Sequence, residues 1–148
     1  MLVIATLLLG ACGSSSGSGG SGGSDTSGSG SGTRAPTMSE LAGGTWVADS
    51  VSSPEHQLVK GSTIVLTFTT DSISVHAGCN SMHGPASISG GTLVVGPLAS
   101  TMMGCDDALS QQDHWIQAFL TSRPAIGMVG EDLRLSKGST AIQFVHHA

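Results

Sequence analysis

Twenty consecutive residues with almost nothing to bury set the terms for this chain. Residues 13–32 comprise nine Gly, nine Ser, one Asp and one Thr. Such a tract offers no apolar side chain to offset the entropy of ordering its backbone. A core cannot run through it, so the folded unit lies beyond, over about 105 residues, enough for one modest core. From Arg34 onward there are five basic and nine acidic residues. Nucleic-acid binders display a basic stripe, and none is present here. The chain has no Tyr, two Trp and three Phe, which leaves little to stack on single-stranded bases. These features predict no nucleic-acid partner.

Ahead of the tract, Leu2 to Leu9 is apolar and leads into Leu9-Gly10-Ala11-Cys12. Eleven helical residues reach only about 16 Å, against a hydrocarbon core of roughly 30 Å. The segment therefore reads as a removable signal sequence rather than a membrane span. Its last four residues resemble the lipobox of bacterial lipoprotein precursors, where cleavage precedes an acylated Cys. The expected organisation is a signal peptide over 1–11, a lipid-anchored flexible linker over 12–40 and a folded domain over 41–146. Thr33 to Glu40, with Pro36, belongs to the tether in this reading.

Within the domain, Thr45 to Val51 predicts a first strand with Trp46 in the core. Ile64, Leu66 and Phe68 share one face of a strand, and Ile73, Val75 and Ala77 share one face of the next, with a turn at Thr70-Asp71. Gly84 to Ser89 is a further strand, and Gly90-Gly91 turns it into Thr92 to Val95. Asp106 or Asp107 caps a helix that runs to about Ser122, with Leu109, Trp115, Ile116 and Phe119/Leu120 on one side. Arg123-Pro124 stops it. Three short strands follow, Ile126–Val129, Leu133–Leu135 and Ile142–Val145, and His146-His147 reads as a frayed, exposed tail. Many short strands with one helix predict an α+β domain with a curved, mainly antiparallel sheet.

Two motifs stand out against this frame. The first, Ala77 to Gly84, follows a strand and carries Gly78-Cys79-Asn80, with Gly84 four residues past the Asn. The second is Thr101-Met102-Met103-Gly104-Cys105, just before the helix. Together they resemble the META domain, the HslJ-like family of small bacterial envelope proteins, over roughly Leu41 to Phe144. The resemblance implies a small barrel-like sheet with one helix, a location in the cell envelope, and a stress or drug-resistance setting. Gly78, Cys79, Asn80 and Gly84 match the first family motif, and Thr101, Met102 and Cys105 the second. The family commonly carries a basic or aromatic residue near Asn80 and an aromatic at the end of the next strand. Ser81, Met82 and Ala86 occupy that region here, which implies a smaller ligand surface. The resemblance brings no catalytic residue.

Three cysteines leave an odd thiol in an exported protein. If Cys12 carries lipid, Cys79 and Cys105 remain, and an oxidising compartment would pair them. Two separate buried thiols are the other outcome. His76, Cys79, His83 and Cys105 also offer ligands of the right chemistry for zinc, at a non-standard spacing. A strand residue at His76 would project away from the apolar face, and a disulfide would use both sulfurs. Cys79 with His76 or His83 as base would suit a thiol nucleophile. The folded part has no Gly-x-Ser-x-Gly elbow, Ser-x-x-Lys or His-Glu-x-x-His motif. Asp106 and Asp107 are explained by helix capping. Met82, Met102 and Met103 cluster around the motifs, as core filling or as an adaptable apolar surface. The expectation is a non-enzymatic, membrane-tethered binding module without a cofactor, its partner an envelope protein or an apolar small ligand.

Overall fold

The computed structural model describes residues 32–148. The expected signal segment 1–11, Cys12 and the Gly/Ser tract up to Ser31 lie outside the described residues. Strands β1 (Thr45–Ser52), β2 (Val65–Phe68), β3 (Ser72–His76), β4 (Ser81–Ser89) and β5 (Thr92–Val95) follow one another as antiparallel neighbours. After β6 (Ala99–Ser100) and a helix, β7 (Ala125–Val129), β8 (Asp132–Lys137) and β9 (Thr140–His147) complete the sheet. β9 pairs with β1 and β3 with β4, so eight strands close into an antiparallel barrel, with β6 added against β4. Closure removes the exposed sheet edges that invite aggregation. The fold is the α+β domain with a curved antiparallel sheet that the residue pattern predicts, closed into the barrel-like form that the family resemblance implies.

Period-two alternation fills the interior. Trp46, Leu66, Phe68, Ile73, Val75, Met82, Leu93, Leu133, Leu135, Ile142 and Phe144 are all buried in one continuous core. Each such side chain contributes about 1.5–3 kcal/mol through apolar burial. A bulge at Asp49, where the β1–β9 register shifts between Ala48 and Ser50, bends β1 as closure requires. The thinnest seam is β5–β7, with the single register pair Thr92 and Ala125. Leu93 N–H donates to Pro124 O and Ile126 N–H to Gly91 O, each at 2.9 Å, and these bonds extend that seam.

The long helix, α2 (Asp107–Thr121), bridges β6 to β7 and packs beside β5. Asp106 is its N-cap, accepting from Leu109 N–H at 3.0 Å. Ile116, Phe119 and Leu120 enter the barrel core. Among the described residues no helix is long and apolar enough to cross a membrane.

Four expectations need correction. The tether does not reach Glu40. Arg34 bridges to Met128, whose N–H donates to Arg34 O at 2.7 Å, and a short helix, α1 (Met38–Leu41), buries Met38 and Leu41. Thr37-Met38-Ser39-Glu40 is a reciprocal capping box, a helix signature that starts α1. His146 and His147 are not frayed, because they close β9 against Trp46 and Thr45 of β1, and the His146 ring lies 4.8 Å from that of Trp46. The domain thus continues past residue 146. Finally, β4 begins at Ser81 rather than Gly84, since Met82 already alternates inward.

Candidate functional site

The Gly78-Cys79-Asn80 turn joins β3 to β4. Gly78 sits at φ +109°, and a Cβ there would lie 2.8 Å from Leu109 Cδ2 of α2, so both backbone and packing call for Gly. Gly84 answers a different need. A Cβ on it would fall 2.5 Å from Pro97 O and 2.9 Å from Leu98 Cδ2, where the chain crosses β4 on its way to β6. Cys79 is buried and bonded to Cys105, their Cα atoms 6.0 Å apart, which pins this turn to the entry of α2.

Asn80 uses its whole hydrogen-bonding capacity. Its Oδ1 accepts from Thr101 Oγ1 at 3.0 Å and from Met103 N–H at 2.8 Å. Its Nδ2 donates to Asp113 Oδ2 at 2.9 Å and toward Cys79 Sγ at 3.3 Å. The backbone N–H of Asn80 also donates to Asp113 Oδ2, at 2.7 Å. Thr101 Oγ1 in turn accepts from Ser81 N–H at 3.0 Å. One side chain therefore ties the β3–β4 turn, the 101–103 segment and α2 together. Asn80 and Thr101 are braces, and Met102 of the same motif takes no part.

The next residue back along α2 does the same for another loop. Gln112, fully buried, donates to Ala77 O at 2.7 Å and Ser62 Oγ at 2.9 Å. Its Oε1 accepts from Val59 N–H at 2.8 Å and lies 3.3 Å from His56 Nε2. His56 stacks on Trp115 with ring centroids 4.5 Å apart. The apolar periodicity did not reveal Gln112 and Asp113. The available signal was position: they stand four and three residues before Ile116, on the face the helix buries.

Between α2 and the Thr101–Gly104 segment runs a groove of about 430 Å³. Met82 forms buried lining, whereas Met102 and Met103 are 98% and 65% exposed. Core filling thus describes Met82 and not the other two. Asp113, only 4% exposed, is the groove's one carboxylate, and neither Lys nor Arg lines it. Its Oδ1 is buried without a hydrogen-bond partner, the one such side-chain oxygen or nitrogen among the described residues.

The structure does not gather His76, Cys79, His83 and Cys105 into one site. His76 and His83 lie exposed on the outer face of β3 and β4, opposite Ser81 and Ser74 in register. His83 Nδ1 is 3.0 Å from Ser74 Oγ, and His76 Nδ1 is 3.4 Å from Ser81 Oγ. Both sulfurs are engaged with each other. Among the described residues no three His, Cys, Asp or Glu side chains are placed to share a metal ion.

The sequence profile of the family described as META domain matches residues 39–148. Two solved structures resemble the fold. One, an NMR structure of a protein from Burkholderia xenovorans, is 22% identical, with a TM-score of 0.61 over 75% of this chain and 86% of its own. A second protein solved by NMR is 21% identical, with a TM-score of 0.60 over 74% of this chain and 94% of its own. At that identity they speak to the fold alone. No curated protein sequence matches significantly.

Proposed function

We propose, from the premise that this chain belongs to the META domain family, that it is an exported lipoprotein whose domain is a non-catalytic binding module of the bacterial cell envelope. The Cys79–Cys105 disulfide carries the reading. Structural disulfides persist in oxidising compartments outside the cytoplasm. With those two sulfurs paired, Cys12 is the one cysteine left, and it directly follows Leu9-Gly10-Ala11. Acylation there with two or more chains would give stable anchoring, at about 0.8 kcal/mol per buried CH₂. The Gly/Ser tract would then hold the domain on a flexible tether with a reach of about 25 Å.

Binding rather than catalysis suits what surrounds the motifs. Their polar side chains are consumed in bracing, while Met102 and Met103 stand exposed beside the groove. Flexible thioethers suit adaptable apolar recognition. An envelope protein or an apolar small ligand fits that surface, in the stress or resistance setting suggested by the family resemblance. The Cys79–Cys105 pairing weighs weakly against the alternative, thiol- or zinc-dependent chemistry at these cysteines with His76 and His83.

Intact mass of the unreduced protein from the membranes of its own host tests this reading. Loss of residues 1–11, acyl mass on Cys12 and the two hydrogens missing from one disulfide are expected. An unacylated chain with free thiols would overturn it.

A further inference from the structure

Two of the three large apolar side chains exposed among the described residues are consecutive thioethers, Met102 at 98% and Met103 at 65%, the third being Val129. Both line the groove of about 430 Å³ beside α2. The facing wall is one side of that helix, since Ser110, Asp113, His114 and Gln117 fall at helical spacing. His114 is itself exposed. His56, His76 and His83 each hold a ring nitrogen within hydrogen-bond range of a neighbour, whereas His114 has no such partner among the described residues. One asparagine side chain spans the two walls. Asn80 Oδ1 accepts from the Met103 N–H at 2.8 Å, and Nδ2 donates at 2.9 Å to Asp113, the residue before His114. The main chain carrying the thioethers is thus fixed opposite the turn of α2 that carries the imidazole. The Cys79–Cys105 bond fastens the same join covalently. Three accessible donors line one groove, and neither Lys nor Arg lines it.

We propose that this groove is a site for a soft monovalent metal ion, Cu(I), held by the thioether sulfurs of Met102 and Met103 and by a ring nitrogen of His114. Donor chemistry selects the ion. Thioethers are soft, neutral ligands suited to Cu(I), and imidazole suits copper as well as zinc. Hard cations such as Mg²⁺ and Ca²⁺ take oxygen ligands and gain little from either group. Zn²⁺ is held by thiolate, imidazole and carboxylate, and here both folded-domain sulfurs of that kind are consumed in the disulfide. Disulfides form only through thiolates, so a thioether is the sulfur ligand that stays available where Cys79 and Cys105 are paired. Flexibility supplies the convergence. Methionine is unbranched with three rotatable bonds, and side chains so exposed have little packing to lose in turning onto an ion. Asn80 already holds the main chain beneath them, which confines the ordering cost to the side chains.

The proposal rests on reading the domain as an exported binding module and names the ion that module takes. Its test uses the full chain with Cys12→Ser, the Cys79–Cys105 bond checked by thiol titration, so that no thiolate competes. Silver nitrate in chloride-free buffer is the redox-inert probe, read by NMR of the methionine methyls and the histidine rings. One equivalent of Ag(I) should give saturable shifts at Met102, Met103 and His114 together, with the methyls of Met38 and Met82 unmoved. Cu(I), supplied as its acetonitrile complex under nitrogen, should give the same pattern, and Zn²⁺ should leave the methionines unmoved. Met102→Leu with Met103→Leu keeps the apolar bulk and removes only the sulfurs, and His114→Gln removes the imidazole. All three positions are exposed, so both variants should keep the melting temperature. Each should weaken Ag(I) binding at least about tenfold, the scale on which even groups that only support a metal ligand count. Undiminished affinity in either variant, shifts at the methionines without His114, or no saturable shift would overturn the site. Failure of the parent reading looks different: free thiols at Cys79 and Cys105 and no acyl mass on Cys12, in protein from its own host, would remove the exported module whatever the titration gives.

Discussion

Gln112 and Asp113 are consecutive on α2, both buried, and each fastens the helix to a different loop. Gln112 meets the segment around Val59 and Ser62, and the Ala77 carbonyl, with every donor and acceptor matched. Asp113 meets the Asn80 turn with one oxygen doubly used and the other unused. An amide presents two donors and two acceptor sites, and an ordinary loop has both to give back. A carboxylate only accepts, and the Asn80 turn aims its two donors at the same atom. The first side is closed by its own chemistry. The second is held shut by a covalent bond, and one of its carboxylate oxygens is buried without a partner.

Removing the covalent bond should give the largest effect. Cys79→Ala with Cys105→Ala should lower unfolding stability by about 3.5 kcal/mol in denaturant titration, from loop-closure entropy alone. Hydrogen exchange then separates the two regions. The Met103 and Asn80 amides should lose protection first, while the Val59 amide keeps that of the whole domain. If all three change together, the two sides are a single unit and the contrast between them fails.

Substituting the neighbours themselves comes next in size. Gln112→Met keeps the volume and strands the Val59 N–H and the Ala77 carbonyl, for an expected loss of about 2–3 kcal/mol. Asp113→Asn keeps an acceptor for the Asn80 donors and should cost about 1 kcal/mol. A larger loss at Asp113 than at Gln112 would mean that Oδ1 already has a partner, such as a buried water.

Much of the barrel could be read in advance because alternation is a direct print of burial. The faces of Ile64, Leu66 and Phe68, the Gly90-Gly91 turn and the Asp106 cap all follow from local rules. Cys79 and Cys105 were legible as a pair through the cysteine count. The braces were not. Gln112 and Asp113 are polar, so a periodicity search passes over them, although their spacing from Ile116 places them on the buried face. The α1 helix was hidden by the Gly/Ser-rich sequence that precedes it, since Thr33 to Thr37 looks like more of the same until Met38 and Leu41 are seen in the core. His76 and His83 share a stretch of sequence with Cys79, and the outward turn that alternation predicts for His76 is the one the structure shows for both.

A smaller effect should arise at the other end of α2. Arg123 occupies the left-handed region at φ +62°, just past the Ser122 C-cap, where Lys137 Nζ donates to Ser122 O at 2.6 Å. Glycine adopts that backbone without the steric cost borne by a side chain. Arg123→Gly should raise stability by about 1 kcal/mol or less in thermal or denaturant unfolding, the more flexible unfolded chain cancelling part of the gain. The Met103 and Asn80 amides should keep their hydrogen-exchange protection. A change in their exchange would show that the helix shifts as a rigid lever, coupling its far end to the groove.

The smallest expected change tests whether α1 is independent of both sides of α2. Thr37 N–H donates to the Glu40 carboxylate at 2.7 Å and the Thr37 hydroxyl at 2.9 Å, with the Arg34 guanidinium 2.9 Å away, and these contacts hold the Glu40 carboxyl below its ordinary value. Because the folded value is depressed, the cap contributes fully above the ordinary glutamate range and fades as pH falls through the depressed value. Glu40 is solvent-exposed, so the change should be a local loosening and not unfolding. An acid titration followed by NMR should move the Thr37 and Met38 amides together through that range. Glu40→Gln should abolish this step while leaving the Val59 and Met103 amides where they are at neutral pH. Movement of Met103 in that variant would mean that the capping box feeds into the groove, and the open side of α2 would then extend to the start of the domain.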